Sequence, residues 1–147
     1  MTKIFIDANV IIAVLNKEYP LFRFAARVLS LSNQPAFELY TSSTCLAIAF
    51  YFSSKKSGEK AALEKIRKLC EEIRITNCGA DEVKATLSNK QIQDFEDGMQ
   101  YYSAVHTGCN ILVTENQPDF HFSSLPVLNC ETLLREVALP IVLQRST

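Results

Sequence analysis

Apolar residues recur along this chain at two spacings, and the spacing sets the expected elements. Lys3-Ile4-Phe5-Ile6-Asp7 is a short apolar run ended by an acid, which predicts a buried strand. Residues 8–15 predict a helix, with Asp7 or Asn9 as its cap. After Pro20, the residues Leu21, Phe24, Ala25, Val28 and Leu29 fall at helical intervals and predict a half-buried helix. Residues 37–41 predict a strand, and Ser42-Ser43-Thr44 caps an apolar helix over 45–52. Residues 53–58 read as a turn before a charged helix over 59–72. A brief strand at Arg74-Ile75-Thr76 and a short helix over 80–87 follow. Asp94 opens a helix over 95–107 that Gly108 stops. Asn110-Ile111-Leu112-Val113-Thr114 is the clearest inner strand, and Pro126-Val127-Leu128 with a helix over 131–137 completes the pattern.

Strands separated by helices of this length imply right-handed crossovers and a mostly parallel sheet, an α/β fold. Ligands of such sheets sit outside the carboxyl ends of the strands. Asp7 and Thr114 both fall at such ends.

Composition narrows the function classes. A chain of 147 residues with 48% hydrophobic and 21% charged residues is a single globular domain, 1–147, and not a disordered one. The net charge of -1 excludes a general polycation, so any nucleic-acid surface is a local patch. The first ten residues lack the basic and apolar regions of a signal peptide, and the longest apolar run, from Val10 to Leu15, is far too short to span a bilayer. Five cysteines without a C-x-x-C pair read as reduced thiols and argue against a zinc site. The expected compartment is the cytoplasm, with no membrane partner.

Three acidic segments carry the candidate chemistry, and each has a plainer alternative. Asp7 stands where an open α/β sheet presents a site, yet it can equally cap the following helix. Asp94 and Asp97 share a helical face, and they also resemble half of a capping box. The loop Thr114-Glu115-Asn116-Gln117-Pro118-Asp119 leaves a buried strand, as ordinary turns do. Taken together they read differently. Carboxylates converging on one sheet edge repel unless a cation neutralises them, and oxygen ligands without His or Cys suit Mg²⁺ or Mn²⁺.

The ordered segments FIDANV, DFEDGMQYYSA and ILVTENQPDF resemble a PIN domain of the VapC-toxin kind, from Lys3 to about Leu134. The resemblance implies a Rossmann-like three-layer domain with helices on both faces of the sheet, and Mg²⁺- or Mn²⁺-dependent cleavage of RNA. It implies that Asp7, Asp97 and Asp119 are the catalytic, metal-binding acids. Asn9, Ser43, Thr114 and Asn116 resemble the family's supporting polar residues, with Ala104 closing the segment that Asp97 opens. It also implies an antitoxin protein as partner and admits a homodimer. In one place the chain departs from the family: the usual second acid, inside the third helix, is replaced by Ile48. Glu96, beside Asp97, is the available substitute.

Other features read more simply. The lysines and arginines between Lys55 and Lys68 alternate with glutamates, as on a solvated helix face. Tyr101 and Tyr102 fit packing better than base stacking, and His121 fits an exposed position. Two functions of different class remain: a toxin ribonuclease, or a catalytically degenerate PIN-like module that binds RNA or protein, for which Ile48 is the argument. A haloacid-dehalogenase-type phosphatase is disfavoured, because Asn9 stands where it needs a second acid.

Overall fold

The computed structural model describes residues 1–146, with side chains described through residue 144. The first apolar run forms the central strand. β1 (Thr2–Ile6) pairs in parallel with β2 (Phe37–Ser42) and β4 (Ile111–Val113). β3 (Arg74–Thr76) and β5 (Val127–Leu128) make the two edges, so the five-stranded sheet runs β3-β2-β1-β4-β5. Ile4, Phe5, Ile6, Leu112 and Val113 are buried. An unbroken apolar run is what a parallel strand covered on both faces requires.

Helices α1 (Ala8–Leu15), α2 (Phe22–Ser30), α3 (Ser43–Ser57) and α4 (Glu59–Leu69) make the crossovers toward β3. Helices α5 (Ala80–Ser88) and α6 (Phe95–Thr107) carry the chain back to β4. Right-handed crossovers in opposite directions put the two groups on opposite faces, and α1 packs on α2 and α3 while α5 packs on α6. The direction reverses between β1 and β4, so their carboxyl ends flank the crevice where such folds bind ligands.

Element boundaries differ from expectation in three places. The third helix runs on through Ser57, because Ser53 is buried and the Ser54 hydroxyl bonds back to the Tyr51 carbonyl at 2.9 Å. It ends at Gly58, whose φ of 88° is a conformation that L side chains rarely adopt. The charged helix stops at Leu69, short of Glu72. The closing helical segment is longer than 131–137. It comprises α7 (Cys130–Thr132), a wide turn (Leu133–Ala138) and α8 (Leu139–Ser146). Asn129 caps it, and Pro140, which lacks an N–H, follows the widened turn.

The basic stretch is mostly exposed, as a solvated face, but two of its lysines are tied to the end of α1. Lys65 Nζ bonds the Leu15 carbonyl at 2.9 Å, and Lys56 Nζ bonds the Asn16 carbonyl, placing cations at the end of α1 where they suit its dipole. Among the described residues no helix is long and apolar enough to cross a membrane, and Cys45, Cys70, Cys78, Cys109 and Cys130 are free thiols.

Candidate metal centre

Asp7 follows β1 directly and is 9% exposed. It does cap α1: Oδ1 accepts from the Ala8 N–H at 2.8 Å. Its other oxygen, Oδ2, accepts from the Thr114 hydroxyl at 2.9 Å and more distantly from Asn9 Nδ2 at 3.4 Å. Asn9 Nδ2 also donates to Thr114 Oγ1 at 3.0 Å, and Asn9 Oδ1 accepts from the Glu115 N–H at 3.2 Å. The cap reading and the site reading of Asp7 therefore coexist in one side chain.

Asp97 sits in the first turn of α6, which Asp94 caps by accepting from the Asp97 N–H at 3.0 Å. That bond uses the Asp97 backbone and not its carboxylate. A helix N-terminus favours an ionised acid, yet the Asp97 carboxyl is pushed up to about 7. Burial is the first cause, followed by the charges of Asp94, Asp7, Asp119 and Glu96. Repulsion and desolvation thus outweigh the dipole here. Asp7 is raised as well, by burial above all and with Asp119 contributing, against the lowering effect of its hydrogen bonds. Glu96 is raised by burial and by Asp94 and Asp7.

Asp119 is exposed on a short helical turn (Gln117–Phe120), and its N–H bonds the Asn116 carbonyl at 3.0 Å. Asn116 shapes the loop through its backbone, its N–H reaching Thr114 Oγ1 at 3.1 Å. Asp97 and Asp119 line one small pocket of about 170 Å³ with Gln93, Asp94, Pro118 and His121. Asp7 is outside that lining but within electrostatic reach of both acids. Among the described residues no ion pair involves Asp7, Asp94, Glu96, Asp97 or Asp119. Nor do three His, Cys, Asp or Glu side chains already form an ion cage. Asp97 and Asp119 thus share a pocket, and Asp7 acts on them only through its charge.

The donor chemistry fits a hard divalent cation: carboxylate oxygens, mutually repelling, with no ion pair to a protein cation among the described residues. Asp7, Asp97 and Asp119 are the expected ligands that lie within electrostatic reach of one another. Ser43 is exposed as the first residue of α3, and the hydroxyl that caps this helix is Ser42, bonded by the Cys45 N–H at 3.0 Å. Ile48 is half-buried and packs against the core.

Sequence reasoning missed three residues here. Cys45 Sγ donates to Asp7 Oδ1 at 3.8 Å, Glu115 Oε2 accepts from the Cys130 N–H at 2.9 Å, and Gln100 accepts from the Ser42 hydroxyl. The spacing of Gln100, one turn after Asp97 on the same face, was the available signal for it. Tyr101 and Tyr102 are packing residues, their hydroxyls bonded to Ser124 and Asn89. His121 is exposed, its ring against Phe122.

Comparison with known proteins agrees with this fold. The chain is 27% identical over 133 residues to "Ribonuclease VapC1" of Aquifex aeolicus (strain VF5), covering 88% of this chain and 91% of the relative. Its fold is similar to VapBC2 from Rickettsia felis, solved bound to a DNA fragment from their promoter, with a TM-score of 0.65 at 20% identity over 87% of this chain and 98% of that one. It is also similar to Mycobacterium tuberculosis VapC20, described as a Sarcin-Ricin loop cleaving toxin, with a TM-score of 0.59 at 17% identity over 74% and 86% of the two chains. The family model for the PIN domain matches residues 3–118, and the chain belongs to that family.

Proposed function

We propose that this chain is a metal-dependent ribonuclease of the PIN type and the toxin of a toxin–antitoxin pair, with Asp7, Asp97 and Asp119 holding Mg²⁺ or Mn²⁺. The observation that carries this reading is the Asp97 carboxyl, pushed up to about 7 by burial and by the neighbouring charges of Asp94, Asp7, Asp119 and Glu96. No ion pair among the described residues relieves it. Likeness to a relative named as a VapC ribonuclease supports the activity class. Likeness in fold to VapC20, described as a toxin, supports the toxin reading, and with it an antitoxin as partner. An RNA substrate and free thiols fit a cytoplasmic protein.

A bound divalent cation would supply water activation and charge stabilisation at the scissile phosphate. The chain's own residues do the rest. Thr114, Asn9 and the Ala8 N–H fix the rotamer of Asp7 and favour its ionised form. Glu96, raised by burial and by the charges of Asp94 and Asp7, is the available replacement for the acid absent at Ile48. Asp94, Glu96 and Asp119 are exposed, so the rim repels phosphate until a cation is present. Cation and RNA binding are therefore coupled in this reading.

A second reading is favoured by Ile48, whose apolar side chain packs against the core and can neither ligate nor orient water. It makes the chain a PIN module that binds RNA or protein without cutting. Assaying the wild type and Ile48→Glu against a varied RNA panel, with Mn²⁺ or with EDTA, separates the two. Metal-dependent cleavage by the wild type supports the nuclease. Cleavage gained only by Ile48→Glu would make the native chain the binding module.

A further inference from the structure

Helix α6 turns a polar stripe inward at one-turn intervals, through Asp97, Gln100 and Ser103. Ser103, fully buried, shares a 2.9 Å hydroxyl bond with Thr76 at the end of β3 and donates to the Gln100 carbonyl at 3.2 Å. Gln100 is 1% exposed, and its Oε1 accepts from the Ser42 hydroxyl at the end of β2. Ser42 Oγ in turn accepts from the Cys45 N–H, and Cys45 Sγ donates to Asp7 Oδ1. Gln100 is thus joined to Asp7 through two intervening residues, while its own helix carries Asp97 one turn away.

The other half of the Gln100 amide is the unusual part. Among the described residues its Nε2 has no hydrogen-bond partner, although it is buried. Burying an unpartnered N–H works against folding, and native proteins keep few such groups. They are expected where a functional site supplies the missing acceptor. Helix α3 reaches the cluster through Cys45 Sγ, and the Cys45 N–H is held by Ser42, which donates to Gln100.

We propose that Gln100 is a positioning residue of the acid cluster: through Ser42 and Cys45 it sets Asp7 relative to Asp97, and its free amide N–H takes an oxygen that enters with the cation or the RNA. This rests on the metal-dependent nuclease reading. A residue of this kind trades stability for function, whereas a packing residue supplies stability alone.

The test is Gln100→Met, which keeps the length of the side chain and removes its polar atoms. Thermal unfolding in metal-free buffer, calorimetric titration with Mn²⁺, and kcat and KM on RNA are measured on the full chain. The expected result is a melting temperature equal to or above wild type, with Mn²⁺ affinity and kcat each lower by about tenfold and KM unchanged. A lower melting temperature with unchanged Mn²⁺ affinity and kcat would make Gln100 a packing residue and overturn the proposal. Should the Met variant fail to fold, Ser42→Ala breaks the link between Gln100 and Cys45 from the other side with a small side chain. A tenfold loss of kcat in that variant supports the proposal, and a kcat at or above wild type overturns it. The Mn²⁺ titration needs no cleavage, so a wild type that binds Mn²⁺ and leaves RNA intact refutes the nuclease reading while still deciding the role of Gln100.

Discussion

Thr114 donates its hydroxyl proton to Asp7 Oδ2 at 2.9 Å, joining the end of β4 to the end of β1 across 107 positions of the chain. Both residues are buried, and Asn9 bonds each of them, so the loop that carries Asp119 is fastened to the acid it must cooperate with. Thr114→Val keeps the shape and removes the donor. It leaves a buried carboxylate oxygen short of its best partner, a loss of about 1–3 kcal/mol. Urea unfolding at neutral pH should show the loss, and Mn²⁺ should bind more weakly. An unchanged unfolding midpoint would mean that the hydroxyl does not hold Asp7.

The cluster sets a direction for stability against pH in metal-free protein. Asp97 titrates at about 7 folded against an ordinary value of 3.8, so the folded state holds its proton longer than the unfolded state does. Its contribution is fully present below the ordinary value and is lost as pH rises through about 7. Asp7 shifts in the same direction. Melting temperature should therefore carry a downward component between about pH 4 and pH 7. Asp97→Asn should flatten that component, and Mn²⁺ should oppose it by stabilising the ionised cluster. A curve identical in wild type and Asp97→Asn would contradict the shift.

Gly98, next to Asp97, is where α6 meets the α5 side of the fold most closely. A Cβ there would stand 2.4 Å from Thr86 Cγ2 and 2.9 Å from Ile92 Cγ2, closer than real Cβ contacts. Gly98→Ala should destabilise by about 1–3 kcal/mol despite the better helix propensity of alanine. It should also weaken Mn²⁺ binding, because relief of the clash displaces the turn bearing Asp97. Chemical denaturation reads the first effect and calorimetry the second; a stabilised variant would show that the neighbours yield freely.

Much of this was legible before the structure. The unbroken apolar run ending in Asp7 named a buried strand, which the sheet order makes the central one, and Asp7 and Thr114 were placed at strand ends, where ligands of such sheets sit. Turn chemistry misled at 53–58, where serines and lysines read as a loop but tertiary contacts extend the helix through Ser57. Cys45 carried no signal, and Gln100 only its spacing from Asp97, for a different reason. Each is ordinary in its own helix and gains meaning only from partners brought near by β1 and β2. The choice between cap and metal ligand at Asp7 could not be made locally, since one carboxylate serves the cap and faces the cluster together.

Away from the site, Glu82 is buried, accepts from the Gly79 N–H at 2.7 Å and pairs with His106 Nδ1. The His106 hydrogen bond is the main reason its carboxyl lies below the usual value of 4.5. A depressed acid contributes stability above its ordinary value and loses it as pH falls through the folded value. Glu82→Gln should cost roughly 1–2 kcal/mol at pH 7, and the deficit should shrink below about pH 4. RNA cleavage should be unaffected. Equal stability of the two proteins at pH 7 would count against the pair.

The claim that converging carboxylates hold a divalent cation for RNA cleavage is tested most directly by cleavage kinetics of wild type and Asp7→Asn. RNA is incubated with each protein in Mn²⁺ and, separately, in EDTA. The account predicts cleavage by the wild type that EDTA abolishes, and a loss on the order of a hundredfold in Asp7→Asn, since the cation supplies several kcal/mol of transition-state stabilisation. Cleavage that persists in EDTA, or equal rates in the two proteins with Mn²⁺, would contradict it.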